Sequence, residues 1–162
     1  MAALNAADGT HLIVHCAATR PSQDIGLADI DRWHRERGWK GCGYHWIIRR
    51  NGRLEMGRSP RQRGAHCRGY NGRSIGICLA GGVAEDDLSL AEDNFSSAQY
   101  ETLSVLLLSM SRMFPGAQVV GHRDIPGVAK DCPAFSVADF WQRRGRDKYI
   151  MRAGFPTPKV KT

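Results

Sequence analysis

The apolar positions of this chain fall into short runs whose spacing changes from element to element. HLIVHCA (11–17) is a compact, β-branched run and reads as a buried strand. PSQDIG then turns the chain. In LADIDRWHRERG, Ile30, Trp33 and Arg37 sit at helical spacing, and Gly38 is placed to stop the helix. YHWIIRR and RLEMGR flank Asn51-Gly52, a dipeptide suited to a type I′ hairpin turn. SIGICLAGG (74–82) reads as a further buried strand ending in glycines, and the acidic VAEDDLSLAEDN as a loop. Ser96 with Gln99 three residues on forms a capping box. The stripe Tyr100, Leu103, Leu106, Leu107, Met110 and Phe114 follows it, and Pro115-Gly116 closes that helix. AQVVGH is a fifth strand, and Ser136 with Asp139 caps a last helix carrying Phe140 and Trp141.

The resulting order is β-α-β-β-β-α-β-α. Strands and helices interleave, but the hairpin imposes one antiparallel pair. The expectation is therefore a single α/β domain, with a central mixed sheet of about five strands flanked by about three helices. A chain of 162 residues is long enough to bury a core without metal or disulfide support. The patterned region spans 11–146. It leaves an N-terminal extension (1–10) and a basic, proline-spaced C-terminal tail (147–162).

Composition changes this picture little. Hydrophobic content of 42% and charged content of 24% are those of an ordinary globular protein. MAALNAADGTH has neither a basic head nor an apolar core, so no signal peptide is expected. The longest apolar stretch, LSVLLLSM (103–110), is too short to span a membrane. Cys16, Cys42, Cys67, Cys78 and Cys132 are odd in number and widely spaced, which fits a reducing compartment better than a disulfide framework. The net charge of +7 favours anionic partners such as nucleic acid, cell-wall polymer or lipid head groups, without saying which. No basic helix or aromatic-interleaved strand accompanies it, so nucleic acid is not an expected partner.

Candidate chemistry centres on His15, at the end of the first strand, His122, at the end of the fifth, and Cys132 in the loop beyond. One histidine beside an apolar strand is more often packing than function. Two at strand ends, with a cysteine following, suggest a common rim. Imidazole nitrogen and thiolate sulfur are zinc donors, and a catalytic zinc keeps three protein ligands and one open position. The rival is a thiol nucleophile at Cys132 with His122 or His15 as its base. By spacing alone both stand, since neither C-x-x-C nor H-E-x-x-H occurs.

Three segments carry a resemblance. LIVHCAATRPSQDIGLADIDRWHRERGWKGCGYHWIIRRNGRLEMGR, GAHCRGYNGRSIGICLAGG and GHRDIPGVAKDCP together resemble the zinc-dependent type-2 N-acetylmuramoyl-L-alanine amidases. That group contains the short phage lysozyme-amidases and the peptidoglycan-recognition proteins. The resemblance runs over about residues 11 to 145 and is closest to the phage members. It implies Zn2+ as cofactor, His15, His122 and Cys132 as its ligands, and Tyr44 and Lys130 as catalytic helpers. The loop from His122 to Lys130 is slightly longer than in some short phage members, which bears on the placement of Lys130.

The implied reaction is hydrolysis of the amide joining N-acetylmuramic acid to L-alanine in bacterial peptidoglycan, by a monomeric phage or prophage endolysin. Such a protein is made in the host cytoplasm and reaches the wall through a membrane pore or at lysis. The resemblance also allows a module that binds peptidoglycan without cutting, or one that contacts a phage RNA polymerase. Alternation along an extended 130–132 would put Lys130 and Cys132 on one side, and an ammonium there suits an oxyanion. A phenol is a better donor than base, so Tyr44 is read as orienting water or oxyanion. His66, in a glycine-rich loop, is a candidate substrate-binding residue. Glu55 ranks below Tyr44 as a candidate base, and Cys16 and Cys78 read as core.

Overall fold

A computed structural model describes residues 9–145. The expected C-terminal tail, and the N-terminal extension apart from residues 9 and 10, lie outside the described residues. The elements follow the expected order: β1 (His11–Cys16), α1 (Leu27–Glu36), β2 (Trp46–Ile48), β3 (Leu54–Met56), β4 (Ser74–Leu79), α2 (Ser97–Met113), β5 (Gln118–Gly121) and α3 (Val137–Phe140). A single 3-10 turn, His122–Asp124, follows β5, and a π-helical turn, Trp141–Gly145, extends α3.

The strands form one five-stranded sheet in the order β3-β2-β4-β1-β5. Only β2 and β3 pair antiparallel; the other neighbours are parallel. This is the mixed α/β sheet that the pattern predicts. Parallel strands must be covered on both faces, and alternation along each strand supplies both. Leu12, Val14, Ile48, Ile75, Ile77 and Leu79 pack with α2 and α3 in the main core. Ile47 and Cys78 pack on the other face with Ile30 of α1, and Ile13 packs there with Cys67 and Ile125. Each fully buried aliphatic side chain contributes about 1.5–3 kcal/mol relative to exposure.

Helix α2 forms as expected. Ser96 Oγ accepts from Gln99 N–H at 3.1 Å, and Gln99 Oε1 accepts from Ser96 N–H at 3.0 Å. Gln99 is fully buried, and its amide also donates to the carbonyls of Ile48 and Ala80. One polar side chain thereby ties the helix start to the ends of two strands. Ser136 Oγ accepts from Asp139 N–H at 3.2 Å and caps α3.

Three expectations need correction. Arg37 is exposed at the end of α1, and His34 takes its place beside Ile30 on the buried side. Gly38, at φ +84°, does end that helix. The hairpin turn is not type I′, because Gly52 has positive φ and Asn51 does not. The Gly52 N–H donates to Arg49 C=O, and the Arg49 N–H to Arg53 C=O. That is a three-residue loop in which a turn is followed by a glycine bulge. The Asn51 side chain accepts from Arg53 N–H at 3.0 Å, which suits the bulged turn. The two hairpin strands are also shorter than the apolar pattern implies.

The sheet register places the site. Val14 on β1 lies opposite Gly121 on the parallel strand β5. The next residue along the chain is a histidine in each case, His15 still within β1 and His122 opening the 3-10 turn just past β5, so the two emerge side by side at the carboxyl edge.

Candidate functional site

The His15 and His122 rings lie 4.4 Å apart between centroids. Cys132 comes back to this edge because the Arg123 N–H donates to the Cys132 carbonyl at 2.8 Å. An Arg123–Asp131 ion pair at 2.7 Å braces the same return. One potential ligand atom from each of His15, His122 and Cys132 lies within 4.8 Å of the others. Among the described residues this is the group of metal-donor side chains that converges. One small ion between them could reach all three after shifts of less than about 1 Å.

The cluster lies in a cleft of about 500 Å³, also lined by Tyr44, His66, Lys130, His34, Trp39 and the 88–91 loop. The Tyr44 ring is 5.1 Å from that of His15. His66 Nδ1 is hydrogen-bonded to His15 Nε2 at 2.9 Å, and its Nε2 meets Ser74 Oγ at 3.3 Å. The loop holding His66 is fixed by Asn71, whose Oδ1 accepts from the backbone N–H groups of His66 and Cys67.

The electrostatics favour neutral imidazoles, the form that donates a lone pair to a metal. His15 is 1% exposed, and burial, then His66 and His122, hold its pKa well below the ordinary value. Burial and then the Lys130 charge lower His122. Burial brings His66 to about 3. Burial also drives the Tyr44 phenol well above its usual value, so it stays protonated. The Cys16 hydrogen bond, followed by burial, pushes the Cys132 thiol up. A free thiol so disposed is a poor nucleophile, whereas a cation between the three side chains would favour its thiolate. Cys132 also precedes α3 by several residues, so no helix N-terminus activates it. The donor set therefore fits a zinc ion.

The structure brings His15, His122, Cys132, Tyr44, Lys130 and His66 to one cleft. Glu55 is elsewhere: it accepts from Leu27 N–H at 2.7 Å and pairs with Arg49, supporting the start of α1. Cys78 is core, as expected. Cys16 packs against the main core but also reaches the site. Its N–H donates to Cys132 Sγ at 3.3 Å, and the two sulfurs are 3.9 Å apart. Alternation places Cys16 on the far face from His15, but at the end of β1 its backbone and thiol both meet the returning loop. His34, Trp39 and Asn71 were not expected at the site. An asparagine within a glycine-rich loop is the signal that could have pointed to the last of these.

The N-acetylmuramoyl-L-alanine amidase family model matches residues 5–135. The chain belongs to that family. It is 41% identical over 132 residues to the endolysin of Escherichia phage T7, covering 82% of this chain and 85% of that protein. It is 40% identical over 134 residues to the endolysin of Klebsiella phage KP32, covering 83% and 86%. Among solved structures, the N-acetylmuramoyl-L-alanine amidase LysC from Clostridium intestinale aligns with a TM-score of 0.70. Its identity is 22%, over 88% of this chain and 89% of that one. PGRP-SA of Apis mellifera aligns with a TM-score of 0.70 at 20% identity, over 89% and 87%. At those identities the two structures speak for the fold alone.

Proposed function

We propose that this chain is a zinc-dependent amidase acting as a phage or prophage endolysin. It hydrolyses the bond between N-acetylmuramic acid and L-alanine in bacterial peptidoglycan. Residues 11–146 form the catalytic unit. The protein is made in the host cytoplasm and meets the wall once the membrane has been opened. The carrying observation is the convergence of His15, His122 and Cys132 within 4.8 Å at the floor of a cleft. Family membership and the phage endolysin relatives support the choice of bond.

In this reading His15, His122 and Cys132 hold the ion. Zinc there supplies Lewis acidity toward the scissile carbonyl and toward water. The chain's own groups do the rest. Tyr44 keeps its proton and so donates a hydrogen bond, orienting water or the developing oxyanion. Lys130, exposed at the cleft rim, brings a positive charge to the oxyanion side. A well-placed donor of this kind is worth up to about 3–4 kcal/mol in the transition state. The histidine rings, held neutral by burial, remain ligands and do not compete with the substrate for protons.

The test combines metal analysis with digestion of purified peptidoglycan before and after chelation. The expected products are free alanine amino groups without new reducing sugar ends. Activity should vanish on chelation and return with stoichiometric zinc. Full activity in verified zinc-free protein would overturn the reading.

A further inference from the structure

The interaction between His15 and His66 has a direction that can be worked out from its far end. Ser74 Oγ lies 2.7 Å from the Tyr70 carbonyl, which can only accept, so the single hydroxyl proton is used there. Ser74 can then only accept from His66 Nε2, 3.3 Å away. A neutral imidazole with its proton on Nε2 has a lone pair on Nδ1. His66 Nδ1 therefore accepts, and His15 Nε2–H is the donor of the 2.9 Å bond between them. His15 Nδ1 is left without a proton.

The ring of His66 is held for this purpose on more than one side. A Cβ on Gly76 of β4 would stand 2.5 Å from the His66 ring, and one on Gly64 would also stand 2.5 Å from it. The imidazole thus occupies a slot that only glycine permits on both walls. The loop carrying it is pinned by Asn71. Both ring nitrogens are engaged by protein, leaving neither for a substrate.

We infer that His66 is a positioning residue for the metal centre: through the chain Tyr70 C=O, Ser74, His66, it fixes His15 as the Nε2–H tautomer and presents Nδ1 to the metal. This inference rests on the zinc reading for its consequence but not for the tautomer. Partners that orient a ligating histidine in this way are typically worth 10–100-fold in metal affinity or activity. The usual acceptor is a carboxylate or backbone carbonyl. Here a second imidazole takes that place, and it acts as an acceptor only because Ser74 fills its other nitrogen.

Two measurements test it. In metal-free protein, nitrogen-15 NMR of the histidine rings should show both His15 and His66 protonated at Nε2 and bare at Nδ1. A His15 protonated at Nδ1 would overturn the inference whatever the metal does. In the second, zinc affinity is measured by competition with a chromophoric chelator for wild type, His66→Leu and His66→Asn, with folding checked by circular dichroism. Leu and Asn are similar in size, but Asn keeps an oxygen acceptor near the Nδ1 position. Leu should weaken zinc binding 10–100-fold, and Asn should recover most of the loss; the cobalt-substituted visible spectrum should shift with Leu only. Equal affinities in all three proteins would reduce His66 to packing. If wild type shows the expected tautomers but binds no zinc, the proposed function falls and the tautomer assignment stands.

Discussion

Lys130 is exposed where the cleft opens, and after burial its charge is the next cause of the lowered His122 pKa. Lys130→Met should lower kcat by about 10²–10³-fold with zinc content unchanged. Wall-turbidity assays and metal analysis on one preparation check this, and an unaltered kcat would remove the residue from the reaction. The three candidate donors could be picked out in the sequence because two stand at strand ends and the third in the loop beyond, and rims gather such residues. The contacts of His66 and Cys16 were not. His66 meets a residue 51 positions away, and Cys16 one 116 positions away. No local pattern encodes pairs at that separation.

At the scale of elements, α2 was the most legible segment, because its cap and its apolar stripe report the same helix. Leu107 is fully buried within the main core. Leu107→Ala should cost about 2–5 kcal/mol by leaving a cavity. Urea unfolding should show a lower midpoint with the slope unchanged. A loss below about 1 kcal/mol would mean that the core collapses around the gap. The hairpin was legible as an element but not in its turn, since Asn51-Gly52 suits more than one geometry. The side-chain bond from Asn51 to Arg53 accompanies the bulged form. The buried face of α1 was less legible than its end, because Arg37 matches the helical spacing while His34, a polar residue, takes the buried side. Its Nδ1 accepts from Gly43 N–H, which makes that burial acceptable.

Across the whole molecule, the fold holds several imidazoles out of water, and this couples stability to pH. His45 is fully buried; its Nδ1 accepts from Gly76 N–H, its Nε2 donates to the Gln62 carbonyl, and burial lowers its pKa to about 4. Above pH 6.5 neither state binds a proton at this residue, and its contribution to stability is fully present. Below pH 6.5 the unfolded chain takes up a proton that the folded chain refuses, so stability falls until pH reaches about 4. For His45 alone that loss is roughly 3 kcal/mol. Urea midpoints of metal-free protein from pH 8 to 4 should therefore drop below pH 6.5. In His45→Gln the slope should be shallower by up to about 1.4 kcal/mol per pH unit. An equally steep slope would show that His45 is not among the groups responsible. Among the described residues no helix is long and apolar enough to cross a membrane. The sequence by itself determined the order of elements, the mixed character of the sheet and the identity of the candidate donors, because periodicity, caps and strand ends are local properties of the chain. Only the tertiary structure decided that Val14 lies opposite Gly121, that the 123–132 loop returns to the same edge, and which backbone groups the buried ring of His45 meets. Those depend on strand register and on hydrogen bonds between distant segments, which exist only once the chain has closed on itself.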